Sequence, residues 1–173
     1  MRLHIPTRLR WSDLDAYGHV NNVQILRLLE EGRVQAFWAT DEPGVELFTS
    51  ESGATDDRTK VAAATMAVID GELGSATLTL VAHQEVEYLA PIPFLRQPLD
   101  LHLWISRLGG ASLELCYEVW SPVGVVPATL FTRAATTTVL VDADTQRPRR
   151  ITEHEREAWR PYIDEPVVFN KRR

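Results

Sequence analysis

The chain has one cysteine, Cys116, in 173 residues, so no disulfide can form within it and no cysteine-rich zinc centre can be built from it. The fold must rest on packing, and a reducing compartment suits it. Long hydrophobic runs are also missing. Nothing approaches the roughly 20 apolar residues of a membrane span, and Met1-Arg2-Leu3-His4-Ile5-Pro6 lacks the apolar core of a secretion signal. We therefore expect a soluble, cytoplasmic protein. Nor is there a basic excess. The 18 Lys and Arg stand against 24 Asp and Glu, a formal net charge of −6, which invites neither nucleic acid nor an anionic membrane. Repeats and low-complexity tracts are absent as well. What is present, 45% hydrophobic and 24% charged residues, is a globular composition. The length suits one domain over residues 1–173 with a sizeable core.

Periodicity divides the chain into one long helix and several strands. Leu3, Ile5 and Leu9 are candidate inward residues of a first strand over Arg2 to Arg10, with Pro6 marking it as an edge or interrupted strand. Val23, Ile25, Leu26, Leu28, Leu29, Val34, Phe37 and Trp38 recur at helical spacing, and Gly32 among them points to close packing. Residues 40–60 are acidic and rich in Gly, Ser and Thr, and read as a loop insertion. Strands are expected over Val61 to Ile69 and Ala76 to Tyr88, separated by a turn at Asp70 to Gly74. Leu99, Leu101, Leu103 and Ile105 alternate with Asp100, His102, Trp104 and Ser106, a strand with one buried face. Gly109-Gly110 turns it into Leu113 to Trp120, and Ala128 to Val141 forms a last long strand. Thr152 and Glu155 have capping-box spacing for a short C-terminal helix, with a tail to residue 173. Helices between strands are too few for a parallel sheet, so the class is α+β, one helix on an antiparallel sheet.

The chemistry concentrates in Trp11-Ser12-Asp13-Leu14-Asp15-Ala16-Tyr17-Gly18-His19-Val20-Asn21-Asn22, just before the long helix. A helix start offers unpaired N–H groups and partial positive charge, which would polarise a carbonyl or thioester oxygen. A carboxylate beside it could attack or activate water, with Asp15 as nucleophile or general base. The competing reading is local: an aspartate capping a turn, His19 satisfying backbone, and Asn21 or Asn22 capping the helix. Elsewhere, Glu31 reads as an ion-pair partner of Arg27 or Arg33, and Cys116 as a packing residue. His4, His83, His102 and His154 lack metal-ligand spacing along the chain, and no metal or other cofactor is expected.

The run from Asp13 to Asn22, followed by Leu29-Glu30-Glu31-Gly32-Arg33, resembles the Asp-x-Asp-x-x-Gly-His-Val-Asn-Asn signature of hot-dog-fold acyl-CoA thioesterases, in their 4-hydroxybenzoyl-CoA thioesterase-like branch. Val86 to Ile92 and Arg107 to Ser112 resemble sheet segments of the same family. The resemblance spans roughly residues 1 to 142, apart from 40 to 75. It implies an antiparallel sheet wrapped around a central helix, homodimers with a continuous sheet or homotetramers, and hydrolysis of an acyl-CoA to carboxylate and CoA without a cofactor. It puts the catalytic carboxylate on Asp15, the carbonyl-polarising amide on Asn22, and a turn role on Asp13. Plant acyl-carrier-protein thioesterases share the Asp-Leu-Asp and His-Val-Asn-Asn elements, which makes His19 a further candidate, although this chain has Tyr17 where they carry asparagine. Arg107, Gly109, Gly110 and Ser112 match the hairpin tip that contacts CoA phosphates in the family. The alternative from another class is a hot-dog protein that binds an acyl group without turning it over.

Overall fold

The computed structural model of the protein describes residues 1–39, 47–50, 59–61, 66–70 and 74–170. Nine strands and two α-helices run in the order β1 (Arg2–Thr7), α1 (Asn22–Phe37), β2 (Trp38–Ala39), β3 (Leu47–Ser50), β4 (Thr59–Val61), β5 (Ile69–Asp70), β6 (Thr77–Tyr88), β7 (Leu99–Leu108), β8 (Ser112–Trp120), β9 (Leu130–Asp142) and α2 (Glu153–Trp159). Seven strands form one antiparallel sheet, ordered β4-β3-β1-β7-β8-β9-β6. β2 and β5 make a small parallel pair. This is the expected hot-dog arrangement, a curved antiparallel sheet about one long helix.

Alternation explains why α1 lies where it does. Leu3 and Ile5 of β1, Leu101, Leu103 and Ile105 of β7, and Leu113 and Leu115 of β8 are all buried, and they meet Ile25, Leu28, Leu29 and Phe37 of α1 in one core cluster. Burying side chains of this size stabilises the fold by about 1.5–3 kcal/mol each. Gly32 carries out the expected close packing. A Cβ there would overlap Leu101 Cδ2, so the helix approaches the sheet most closely at this residue. Val23, Leu26 and Trp38 fall outside the buried stripe and are exposed.

Several expectations need correction. β1 is an interior strand between β3 and β7, not an edge. Pro6 is tolerated because the β1–β3 register covers only Arg2 to His4, so the missing amide is not required on that side. The loop expected over 40–60 carries β3 and the start of β4; four β-forming residues, Leu47-Phe48-Thr49-Ser50, were too short a run to stand out from their polar surroundings. Residues 40–46 and 51–58 lie outside the described residues. In place of one strand over Val61 to Ile69 there are β4 and β5, with Met66 to Val68 outside any strand. Of the turn at Asp70 to Gly74, residues 71–73 are outside the described set.

β7 is buried on both faces, against the expectation of one. Asp100, His102 and Trp104 are each 2% exposed or less. Part of the cover is the C-terminal segment, which follows α2 across the outer face. Trp104 Nε1 donates to Glu165 O at 2.7 Å, Ile105 O accepts from Asp164 N at 2.9 Å, and Cys116 Sγ accepts from Val167 N at 3.4 Å. Burial pushes the Cys116 thiol pKa up, in keeping with a packing role. α2 starts with the expected capping box, Thr152 and Glu155 exchanging side-chain and backbone bonds, and Trp159 packs edge-to-face on Phe37 at 5.5 Å.

Candidate active site

Asp13 fixes the loop that precedes α1. It is buried, and its Oδ2 accepts from Arg10 N at 2.6 Å while Oδ1 accepts from Arg27 Nη2 at 2.8 Å. Its carbonyl accepts from Asn21 N at 2.9 Å. Arg27 reaches from the second turn of α1 and also donates to Gln24 Oε1 at 2.7 Å and Glu31 Oε1 at 2.8 Å. Glu31 is therefore the Arg27 partner expected of it.

Between Leu14 and Val20, which form an isolated bridge, the chain makes a tight turn around the Asp15 carboxylate. Asp15 Oδ1 accepts from Tyr17 N at 2.8 Å and His19 N at 3.2 Å, and Asp15 N donates to His19 O at 2.8 Å. Gly18 closes the turn at φ +77°, a conformation that costs other L-residues energy, and donates to Asp15 O at 3.1 Å. Asp15 is half-buried, and its Oδ2 has no hydrogen-bond partner among the described residues. The His19 ring likewise makes no hydrogen bond among them, whereas its backbone bridges Pro93. The turn thus uses one carboxylate oxygen and leaves the other available.

Asn21 is the N-cap of α1, its side chain accepting from Val23 N at 2.9 Å. Asn22 is the first helical residue and is exposed. Its N–H has no acceptor among the described residues and lies at the positive end of the helix dipole. One short loop therefore carries a carboxylate oxygen and an amide donor, both unoccupied.

A cavity of about 130 Å³ lies between the C-terminal half of α1 and the sheet. Val34, Phe37, Leu115 and Leu140 supply apolar wall, Arg33 and Thr138 polar groups, and Thr79 and Val81 of β6 complete the lining. Arg33 Nη1 donates to Tyr117 OH at 3.4 Å, and burial pushes the Tyr117 pKa up to about 12, so that hydroxyl stays protonated. This cavity is not beside Asp15. The Asp15 turn pairs with Ile92 and Pro93 in the connection beyond the C-terminal end of β6, while the cavity adjoins the N-terminal half of that strand.

The hairpin tip lies at the cavity's end of the sheet too, apart from Asp15. Gly109 N donates to Ser112 O at 2.8 Å, and a Cβ on Gly109 would come within 3.0 Å of that oxygen. Gly109 O and Gly110 O accept from Arg156 Nη2 and Ile151 N at 2.9 and 2.8 Å, so α2 and its approach hold the tip. Arg107 is exposed and forms no ion pair among the described residues. Within one chain Asp15, His19 and Asn22 lie on the one loop that leads into α1, bonded to each other only between Asp15 and His19, while Arg107, Gly109, Gly110 and Ser112 lie at the cavity's end of the sheet.

Spacing along the chain gave no sign of a second group, His4, Asp100 and His102: Asp100 and His102 lie two residues apart on one face of β7, and His4 joins them only through the β1–β7 pairing. Its trace was there in the alternation: each occupies the outward position of its strand and is nonetheless buried.

Residues 9–159 match the family model of the thioesterase-like superfamily. The chain belongs to that superfamily. No curated protein matches it. Solved structures match across nearly its whole length. The PA5185 protein of Pseudomonas aeruginosa PAO1 is 20% identical over 95% of this chain and 93% of its own, with a TM-score of 0.65. A thioesterase of Thermus thermophilus, crystallised with coenzyme A and zinc, is 23% identical over 95% and 96%, with a TM-score of 0.61. The Synechocystis 1,4-dihydroxy-2-naphthoyl-CoA thioesterase is 14% identical over 91% and 95%, with a TM-score of 0.63. At these identities the likeness establishes the hot-dog fold. No helix among the described residues is long and apolar enough to cross a membrane.

Proposed function

We propose that this member of the thioesterase-like superfamily hydrolyses acyl-CoA thioesters to a carboxylate and CoA. The observation that carries the reading is the pair of unoccupied groups on one loop, Asp15 Oδ2 and the Asn22 N–H. In this reading Asn22 N–H, aided by the helix dipole, polarises the thioester carbonyl and stabilises the oxyanion of the tetrahedral intermediate. Asp15 Oδ2 either takes a proton from the water that attacks the carbonyl carbon, or attacks that carbon itself to give a mixed anhydride that water then hydrolyses. CoA thiolate leaves and takes up a proton. His19 flanks the carboxylate and positions the turn through its backbone.

The site is completed by a second protomer. Among the described residues β6 ends the sheet with no partner on its outer side, and Leu80, Val81 and Tyr88 on it are 47–49% exposed. An unpaired apolar edge of this length invites another strand. A two-fold axis that extends the sheet through β6 must pair the strand with its own copy antiparallel. The Asp15 turn of one protomer, past Tyr88, then adjoins the Thr79 and Val81 end of the partner subunit, where the cavity and the hairpin tip lie. The acyl group would occupy the cavity between α1 and the sheet, and Arg107 with the backbone amides of Gly109, Gly110 and Ser112 would face the CoA phosphates. The apolar cavity suits a small-molecule substrate.

The test is free-thiol release from short, medium, long and aromatic acyl-CoAs by the full chain. Turnover of at least one class supports the hydrolase. Calorimetric binding of the same compounds without thiol release would replace it with an acyl-CoA-binding protein.

A further inference from the structure

Away from the Asp15 loop, three buried side chains with metal-ligating atoms converge on the outer face of the sheet. His4 of β1 and His102 of β7 are register partners on neighbouring strands, and Asp100 lies two residues from His102 on the same face. His4 and His102 are 0% exposed and Asp100 is 2% exposed. Asp100 Oδ2 stands 3.0 Å from His4 Nδ1 and 3.1 Å from His102 Nε2, and one ligating atom from each of the three lies within 4.8 Å of both others. Tetrahedral zinc, with bonds near 2.0–2.2 Å, needs ligand atoms about 3.3 Å apart. Both Asp100–histidine separations lie within a few tenths of an ångström of that requirement.

The surroundings fit an ion as well. His4 Nε2 lies 2.6 Å from Ser50 Oγ, so a His4 ligating through Nδ1 would hand its remaining N–H to a hydroxyl, the outer-shell bond that fixes ring orientation at metal sites. Trp120 stacks on His102 at 5.9 Å and 30°, holding that ring in place. His102 Nδ1 is buried and has no hydrogen-bond partner among the described residues. A pocket of about 250 Å³, lined by Asp100 with Pro6, Phe48 and Pro122, adjoins the group on the Asp100 side and offers an entry path.

We infer that His4, Asp100 and His102 form a binding site for one divalent first-row transition ion, of which Zn²⁺ is the reference. Two imidazoles and a carboxylate are a borderline donor set suited to such ions and unlike the all-oxygen shells of Mg²⁺ or Ca²⁺. The ligands sit on paired strands and would pin β1 to β7. This site is separate from the Asp15 loop and does not depend on the thioesterase reading.

The experiment uses the full chain, freed of any affinity tag, stripped with chelator and titrated with Co²⁺ and then Zn²⁺. The expected result is one Co²⁺ per chain, with the intense visible absorption of a four- or five-coordinate ion, displaced by one Zn²⁺. Asp100→Asn and His102→Gln should each weaken binding at least 100-fold, while His83→Ala leaves it unchanged. Only the pale spectrum of hydrated Co²⁺, or full binding in Asp100→Asn and His102→Gln, would overturn the site. Should those variants not fold, the wild type decides the matter through its five histidines. On Zn²⁺ addition the ring-nitrogen resonances of His4 and His102 should move and the other three stay, whereas movement confined to His19, His83 or His154 would overturn the inference.

Discussion

Arg27 Nη2 donates to Asp13 Oδ1 at 2.8 Å, and this bond ties α1 to the loop that carries Asp15. The pair is asymmetric, with the Asp13 side chain 2% exposed and the Arg27 side chain 30%. Removing Arg27 strands a buried carboxylate, whereas removing Asp13 leaves an arginine that water can still reach. We expect Arg27→Ala to cost about 3 kcal/mol and Asp13→Ala about 2 kcal/mol. Urea unfolding of the two variants checks the order as well as the size.

The shared site predicts complementation between two inactive variants. Asp15→Asn removes the carboxylate, and Val34→Trp fills the cavity. Neither homodimer should turn over substrate. Mixed after denaturation and refolding, half of the dimers are hybrids and each hybrid keeps one intact site, so about a quarter of the wild-type activity should return. No recovery would place both halves of the site in one chain. Light scattering should find a dimer of the 19.5 kDa chain or a multiple of one, and Val81→Asp on the β6 edge should reduce it to monomer.

Cavity size predicts substrate preference. At about 130 Å³ the cavity is close to the roughly 150 Å³ hydrocarbon cavity that accepts benzene. Acyl groups of about six carbons or one ring should therefore exceed palmitoyl-CoA in kcat/KM by tenfold or more. Equal rates across the series would show that the chain extends elsewhere.

Acid should destabilise the fold through Asp100 and Glu155. Burial works against both carboxylates, yet bonds from His102 and His4 to Asp100, and from Arg149 and Thr152 to Glu155, leave both pKa values lowered. A carboxylate whose folded pKa is lowered stabilises the fold above its unfolded pKa, and that stabilisation is lost as pH falls through the folded value. Stability should accordingly be flat near neutrality and fall from about pH 4.5 downward. Glu155→Gln keeps the capping geometry but loses the Arg149 ion pair. It should cost about 1–2 kcal/mol at pH 7 and flatten the acid limb of the unfolding profile.

The chain discloses its helix, its long strands and the loop of candidate site residues because each is a local pattern. The α1 stripe, the Leu99 to Ile105 alternation, the Gly109-Gly110 turn and the Thr152 and Glu155 box depend on neighbours in sequence. β3 was hidden because four residues make too short a period, and Pro6 misled because tolerance of proline depends on what pairs beside it. Burial of both faces of β7 could not be read locally either, since its cover comes from Asp164, Glu165 and the distant His4. The site divides in the same way. Asp15, His19 and Asn22 share one loop, but the separation of Asp15 from the cavity is a property of the sheet's length. The His4, Asp100 and His102 group exists only through β1–β7 register.

Thiol release by Asp15→Asn beside the wild type tests whether the Asp15 carboxylate performs the hydrolysis. The Oδ1 bonds to Tyr17 N and His19 N survive this substitution, so the turn should keep its shape. The account predicts a matching circular dichroism spectrum and melting temperature, KM within about threefold and kcat lower by about 1,000-fold or more. A folded Asp15→Asn protein with kcat near that of the wild type would contradict it.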